Sequence, residues 1–270
     1  MKKIPLIIIP DNENPDEAGV FVDGLIKNIP YRFLLDTGAA SSELCSDSYT
    51  SSFTKIGEKV SSGVFAPSNL DIIQIPFLKI GPITKKDFLI RRQSYHDSHI
   101  QNLLGMDFLK DHYCHFQFDT QHLIVDSPLE EFSELLMTTL HLNSKFHPYL
   151  EVKLDSNIQT ATSVWDTGAS ITVVDLHFIS QNPQSFKYIG SSKGTDSTGT
   201  SFDTPTMIMD KCTIGSYEFP PHRVVGVDLS YMNSATDIPM TMILGYTIIQ
   251  FANWLFNFPA KKWAITKMNL

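Results

Sequence analysis

Apolar and polar residues along this chain recur mostly at strand-like spacing, in short runs separated by turn residues. Val20-Phe21-Val22 leads to Lys27-Asn28-Ile29-Pro30, a turn signal, and Tyr31 to Leu35 returns as a second strand. The device recurs near mid-chain: Tyr149 to Leu154 reads as a strand, Asp155-Ser156-Asn157 as a turn, and Thr160 to Trp165 as the returning strand. Aromatic strands are expected at Phe116 to Phe118 and Trp254 to Phe258, followed by Leu123 to Val125 and Trp263 to Ile265. Leu6 to Ile9 reads as an opening strand. One stretch reads otherwise. Ser127-Pro128-Leu129-Glu130 has the cap, the first-turn proline and the acidic residue of a helix start, and Leu129, Phe132, Leu136 and Leu140 recur at helical spacing, so a helix is expected over 128–140. The class is mainly β with few short helices.

The returning strands deliver the same four residues twice. Asp36-Thr37-Gly38-Ala39 follows Phe33-Leu34-Leu35, and Asp166-Thr167-Gly168-Ala169 follows Val164-Trp165, 130 residues later (166 − 36). A second correspondence lies downstream. Leu103-Leu104-Gly105 and Ile243-Leu244-Gly245 each place two apolar residues and a glycine before a short amphipathic stretch and an aromatic strand. An internal repeat of about 125 residues follows. It divides the chain into an N-terminal lobe (1–127), a helical linker (128–145) and a C-terminal lobe (146–270).

Composition narrows the partners. A net charge of −8 with scattered Lys and Arg argues against nucleic acid or an anionic membrane surface. No apolar run approaches the roughly 20 residues of a membrane helix. Met1-Lys2-Lys3 and the following apolar residues lack the length and the small-residue cleavage site of a signal peptide. Cys45, Cys114 and Cys212 are three and widely spaced, which suits inert thiols in a reducing compartment such as the cytoplasm better than a disulfide framework. His112, Cys114 and His115 fit no common metal-site spacing, and no Gly-x-Ser-x-Gly element supports a serine hydrolase.

The doubled Asp-Thr-Gly-Ala, each with its downstream apolar-apolar-Gly element, resembles the aspartic peptidases. Leu103 to Leu109 is especially similar to the retrovirus- and retrotransposon-type branch. The resemblance implies a bilobal acid-protease fold with pseudo-twofold symmetry, in which Asp36 and Asp166 meet at the floor of a cleft. Retroviral enzymes pair two identical chains and pepsin-like enzymes use one duplicated chain. Carrying both copies, this chain is expected to act as a monomer on a peptide or protein substrate, with no cofactor and no metal.

The implied chemistry accounts for the residue types. Two carboxyls in contact cannot both ionise, so they share one proton; the ionised one activates a water and the protonated one polarises the scissile carbonyl. The two pKa values belong to the pair, and identical flanks assign neither role. Thr37 and Thr167 are expected to reach the opposite lobe's backbone, Gly38 and Gly168 to let their N–H groups approach the carboxylates, and Gly105 and Gly245 to let a strand pass close behind the catalytic loops. Ala39 and Ala169 stand where pepsin-like enzymes carry a hydroxyl that lowers the carboxyl pKa, so weakly acidic working conditions are expected. Flap candidates are Gly63, Val64 and Phe65 in the first half, and the Ser191 to Asp196 stretch with Gly194 and Thr195 in the second. The rival readings are a peptide-binding module of the same fold with little or no proteolysis, and a carboxylate hydrolase acting on glycosidic bonds. The identical flanks of the two Asp residues speak against the latter.

Overall fold

The computed structural model describes residues 2–62, 67–93, 101–126, 135–154, 160–195 and 200–270. They are mainly β, arranged in several sheets, with four short α-helices among the described residues.

Alternation builds the first sheet. Ala18–Ile26 buries Val20, Val22 and Ile26 completely and turns Asp23 to solvent, the period-two pattern of a strand with one face on a core. It reverses through Lys27 and Asn28 alone, both at positive φ (48° and 70°). Ile29 and Pro30, read from sequence as turn residues, therefore belong to the returning strand Ile29–Leu35, opposite Ile26 and Leu25. A two-residue loop with both residues left-handed matches the twist of the strands it joins, so pairing resumes at once.

Two large sheets draw on separate parts of the chain. An eight-stranded sheet is made from strands within residues 7–104, and a ten-stranded sheet from strands within residues 141–244. A third, six-stranded sheet joins them. At its centre Tyr113–Gln117 pairs antiparallel with Ala252–Asn257. Lys2–Pro5 and His122–Val125 complete one side, and Lys262–Met268 and Thr138–Thr139 the other. On this shared sheet lies an aromatic cluster: the Trp165 ring is 4.8 Å from that of Phe116 and 4.7 Å from that of Phe256, all fully buried. The residue just before Asp166 is thus anchored on Tyr113–Gln117 and Ala252–Asn257, strands far apart in the chain, and large buried rings are strong anchors.

Two boundaries differ from the sequence reading. The opening strand is two strands, Lys2–Pro5 and Ile7–Pro10, with buried Leu6 between them where the chain passes from the six-stranded to the eight-stranded sheet. The helix expected over 128–140 does not extend to its end, and the described part of the 128–145 linker, residues 135–145, is not helical. Thr138–Thr139 and His141–Leu142 are extended, pairing with Trp263 and Lys262 and with Tyr149 and Pro148. Leu136 is 92% exposed, whereas Leu140 is buried with its N–H on the Lys261 carbonyl. The helical spacing is local, and ladder bonds to remote strands override it. Residues 127–134, including the proposed cap, and the Asp155-Ser156-Asn157 turn lie outside the described residues. No described helix is long and apolar enough to cross a membrane.

Candidate active site

Each Asp-Thr-Gly-Ala element leaves the end of a strand, Ile29–Leu35 or Thr160–Trp165, and is gripped from behind by a parallel neighbour, Leu103–Leu104 or Met242–Leu244. The Asp36 N–H donates to the Leu104 carbonyl and the Asp166 N–H to the Leu244 carbonyl, both at 3.0 Å. The neighbours then turn at Gly105 and Gly245, with near-identical extended geometry (φ −96° in both), into the helices Met106–Leu109 and Tyr246–Ile249. A Cβ on Gly105 would lie 2.8 Å from the Ala39 carbonyl oxygen, and one on Gly245 would lie 2.3 Å from that of Ile171. Glycine is needed here for close backbone approach, not for a left-handed φ. The Ala39 and Ala169 carbonyls accept the N–H groups of Met106 and Tyr246 at 2.8 Å, tying each loop to its helix.

A second brace was not read from the sequence. Six residues past each Asp stands a buried hydroxyl. Ser42 Oγ accepts the Gly105 N–H at 3.0 Å and donates to Asp107, while Thr172 Oγ1 accepts the Gly245 N–H at 3.2 Å and bonds to Thr247. The repeated hydroxyl at this offset was the available signal.

The two halves interlock at the threonines. Thr37 Oγ1 donates to the Trp165 carbonyl at 2.8 Å and accepts the Thr167 N–H at 3.1 Å. Thr167 Oγ1 donates to the Leu35 carbonyl at 2.5 Å and accepts the Thr37 N–H at 3.2 Å. Both side chains are completely buried. This fourfold link brings the two carboxyls together, each against the glycine of the opposite loop. Gly38 and Gly168 face the opposite carboxyl: a Cβ on Gly38 would sit 2.4 Å from Asp166 Oδ2, and one on Gly168 would sit 2.5 Å from Asp36 Cγ.

The environments of the two carboxyls differ although their flanks do not. Asp166 Oδ1 accepts the Gly168 N–H at 2.8 Å and the Gly38 N–H at 3.1 Å. Burial raises the pKa of Asp166, opposed by these N–H groups, by the adjacent Asp36 carboxyl and by the Ala169 N–H. Asp36 is pushed well above the usual carboxyl range, first by burial, then by the adjacent Asp166 carboxyl, and further by the charge of Glu43, with the Ala39 N–H opposing. Donors to a carboxylate favour its ionised form and nearby negative charge disfavours it; both carboxyls are raised, and their surroundings differ in that Asp166 Oδ1 holds two N–H donors while Asp36 feels the charge of Glu43.

No family model and no curated protein matches this chain.

The carboxyls open into a cleft of about 1340 Å³ bordered by parts of both large sheets. Two hairpins reach it. In the first, Lys55–Ser62 pairs with Pro67–Ile80 up to Ser62 opposite Pro67, and Lys59 and Val60 line the cleft. The candidate tip residues Gly63, Val64 and Phe65 lie outside the described residues. In the second, Phe186–Thr195 pairs with Ser201–Met209. Gly194 lines the cleft with Ser191 to Lys193, and Thr195 pairs with Ser201 at the end of the described ladder. Ile189, half exposed at a bulge in this hairpin, and Glu43 and Arg91 also line the cleft and were not singled out from sequence. His112, Cys114 and His115 lie away from it: His112 bonds to Asp126, and His115 to Thr266 beside buried Cys114 in the six-stranded sheet.

Proposed function

We propose that the protein is an aspartic endopeptidase with a bilobal, pseudo-twofold acid-protease organisation, acting on an extended peptide laid across the cleft. The observation that carries the reading is the close pair Asp36–Asp166, held by reciprocal threonine bonds and open to a cleft of about 1340 Å³. Paired carboxyls sharing one proton perform acid and base work at once. Asp166, stabilised as the anion by backbone N–H groups, takes a proton from the attacking water. Asp36 donates its proton to the scissile carbonyl oxygen, giving a neutral gem-diol. Breakdown returns a proton to the departing amine. No covalent intermediate with the protein is formed. The hairpins 55–80 and 186–209 act as flaps, offering strand edges to the substrate backbone in the strand-addition mode.

The test is cleavage of a denatured protein from pH 3 to 8 by the wild-type chain and by Asp36→Asn and Asp166→Asn, with pepstatin as a probe. Turnover by wild type and loss in both variants, with folding retained, supports the reading. Retained activity in either variant, or no cleavage by wild type at any pH, overturns it.

A further inference from the structure

The internal repeat makes the two sides of the cleft comparable position by position, and at one set of positions they are chemical opposites. The matched hydroxyls Ser42 and Thr172 fix the alignment. The next residue is Glu43 in the first half and Val173 in the second. Each pairs in parallel with a neighbouring strand, Glu43 opposite Arg91 and Val173 opposite Val225. Two residues further along those neighbours, on the same face, stand Gln93 and Val227. Each is also backed by an equivalent strand, Glu43 by Leu103 and Val173 by Ile243. One half thus presents Glu43, Arg91 and Gln93 where the other presents three valines.

The two sets behave accordingly. Arg91 lies 3.5 Å from Glu43 Oε1, and Gln93 Nε2 donates to Glu43 Oε2 at 3.4 Å, all three being largely shielded from solvent. Val225, Val227 and Ile243 belong to a buried apolar cluster against which Ile171, Val173 and Met232 pack. Glu43 and Arg91 on one side, and Val173, Val225 and Val227 on the other, line the same cleft as the two catalytic carboxyls.

We infer that these sets form two matched side-chain pockets on opposite sides of the scissile bond, one selecting a carboxamide side chain (Gln or Asn) and the other a branched aliphatic one. The inference rests on the peptidase reading above. An aliphatic side chain over the Glu43–Arg91 pair would cover two charges and replace none of their hydrogen bonds to water. A charged side chain would find its counter-ion already paired and would meet a like charge beside it. A carboxamide carries both donors and an acceptor and can address the carboxylate and the guanidinium together. In the valine pocket the same carboxamide would lose its water partners without replacement, whereas Val or Ile loses none.

The experiment is cleavage of a randomised peptide library by the wild-type protein, with products read by mass spectrometry. The expected result is a preference of about tenfold or more for Gln or Asn at one position, and for Val or Ile at its counterpart across the cut. The triple variant Glu43→Val/Arg91→Val/Gln93→Val removes Glu43 and both its partners together, and Asp107, which also feels the Arg91 charge, keeps its bonds from Ser42. The variant should convert the first preference to aliphatic and leave the second unchanged. Comparing kcat/KM ratios between two peptides at one pH cancels any effect of Glu43 on the dyad. Val225→Thr, nearly isosteric, should weaken the aliphatic preference at the other position by several-fold, and it serves if the triple variant does not fold. Cleavage with the same preference on both sides, or a folded triple variant with the wild-type profile, overturns this inference while leaving the peptidase reading standing. A library left uncut by wild type at every pH overturns both.

Discussion

The interlock at Thr37 and Thr167 should be among the costliest places in the molecule to lose one oxygen atom. Thr167→Val keeps the shape of the side chain and removes two hydrogen bonds: the 2.5 Å bond to the Leu35 carbonyl and the 3.2 Å bond from the Thr37 N–H. Both lie where no water replaces them, since the two threonines are completely buried. Each lost bond leaves one buried partner unsatisfied, at about 1–3 kcal/mol. The expected loss for the two is therefore about 2–6 kcal/mol, or about 5–20 °C in Tm for a chain of this size. Thr37→Val removes the reciprocal pair to Trp165 and Thr167 and should cost about the same. Urea midpoints of the two valine variants, with Thr37→Ser and Thr167→Ser as controls that keep the hydroxyl, measure this directly. The serine variants should retain most of the stability. Valine variants within about 0.5 kcal/mol of wild type, or serine variants no better than valine ones, would refute the claim that these hydroxyls hold the halves together. In the peptidase reading the same variants should lose kcat by about tenfold to a hundredfold with little change in KM, because a small displacement of either carboxyl degrades positioning.

Three further outcomes follow from the same geometry. The raised pKa of Asp36 makes its contribution to stability fully present below the unfolded value of 3.8 and lost as pH rises through the folded value; Asp36→Asn should therefore match or exceed wild type in Tm at pH 7, with the gain disappearing toward pH 3 in a pH series of thermal melts. In the peptidase reading, because the charge of Glu43 raises the pKa of Asp36, Glu43→Gln should move the alkaline limb of the kcat/KM profile to lower pH; an upward move would contradict that cause. Gly245→Ala, whose Cβ would lie 2.3 Å from the Ile171 carbonyl oxygen and 2.4 Å from its carbon, should lose at least about 2 kcal/mol in urea unfolding, since the obstacle is backbone that cannot rotate away.

The parts of this molecule legible in its sequence are those where local chemistry and tertiary need coincide. The strands before Asp36 and Asp166 end in short apolar runs, Phe33-Leu34-Leu35 and Val164-Trp165, and the glycines at 105 and 245 stand where backbone passes backbone. The parts misread are those where a remote partner decides. Leu136 and Leu140 are at helical spacing, but the backbone beside them pairs with Lys262 and Trp263 more than a hundred residues away, and no local window contains that information. Ile29-Pro30 looked like a turn because proline punctuates, yet Lys27 and Asn28 alone complete the reversal.

The subtler gap concerns symmetry. Two identical Asp-Thr-Gly-Ala elements make the two carboxyls look interchangeable, yet their surroundings are not. Asp166 Oδ1 accepts the Gly168 and Gly38 N–H groups, and Asp36 faces the charge of Glu43. The same glutamate stands at the position where the repeat changes from Glu43 to Val173. Residues that hold the carboxyls in place are the same or similar in the two copies: threonine with threonine, glycine with glycine, Ser42 with Thr172. Residues that face the cleft beside them have diverged. In the peptidase reading, a site built from two identical chains could not separate these roles, because every change to one wall is copied to the other. A single chain can, and the divergence from Glu43, Arg91 and Gln93 to three valines lies where that freedom would be used.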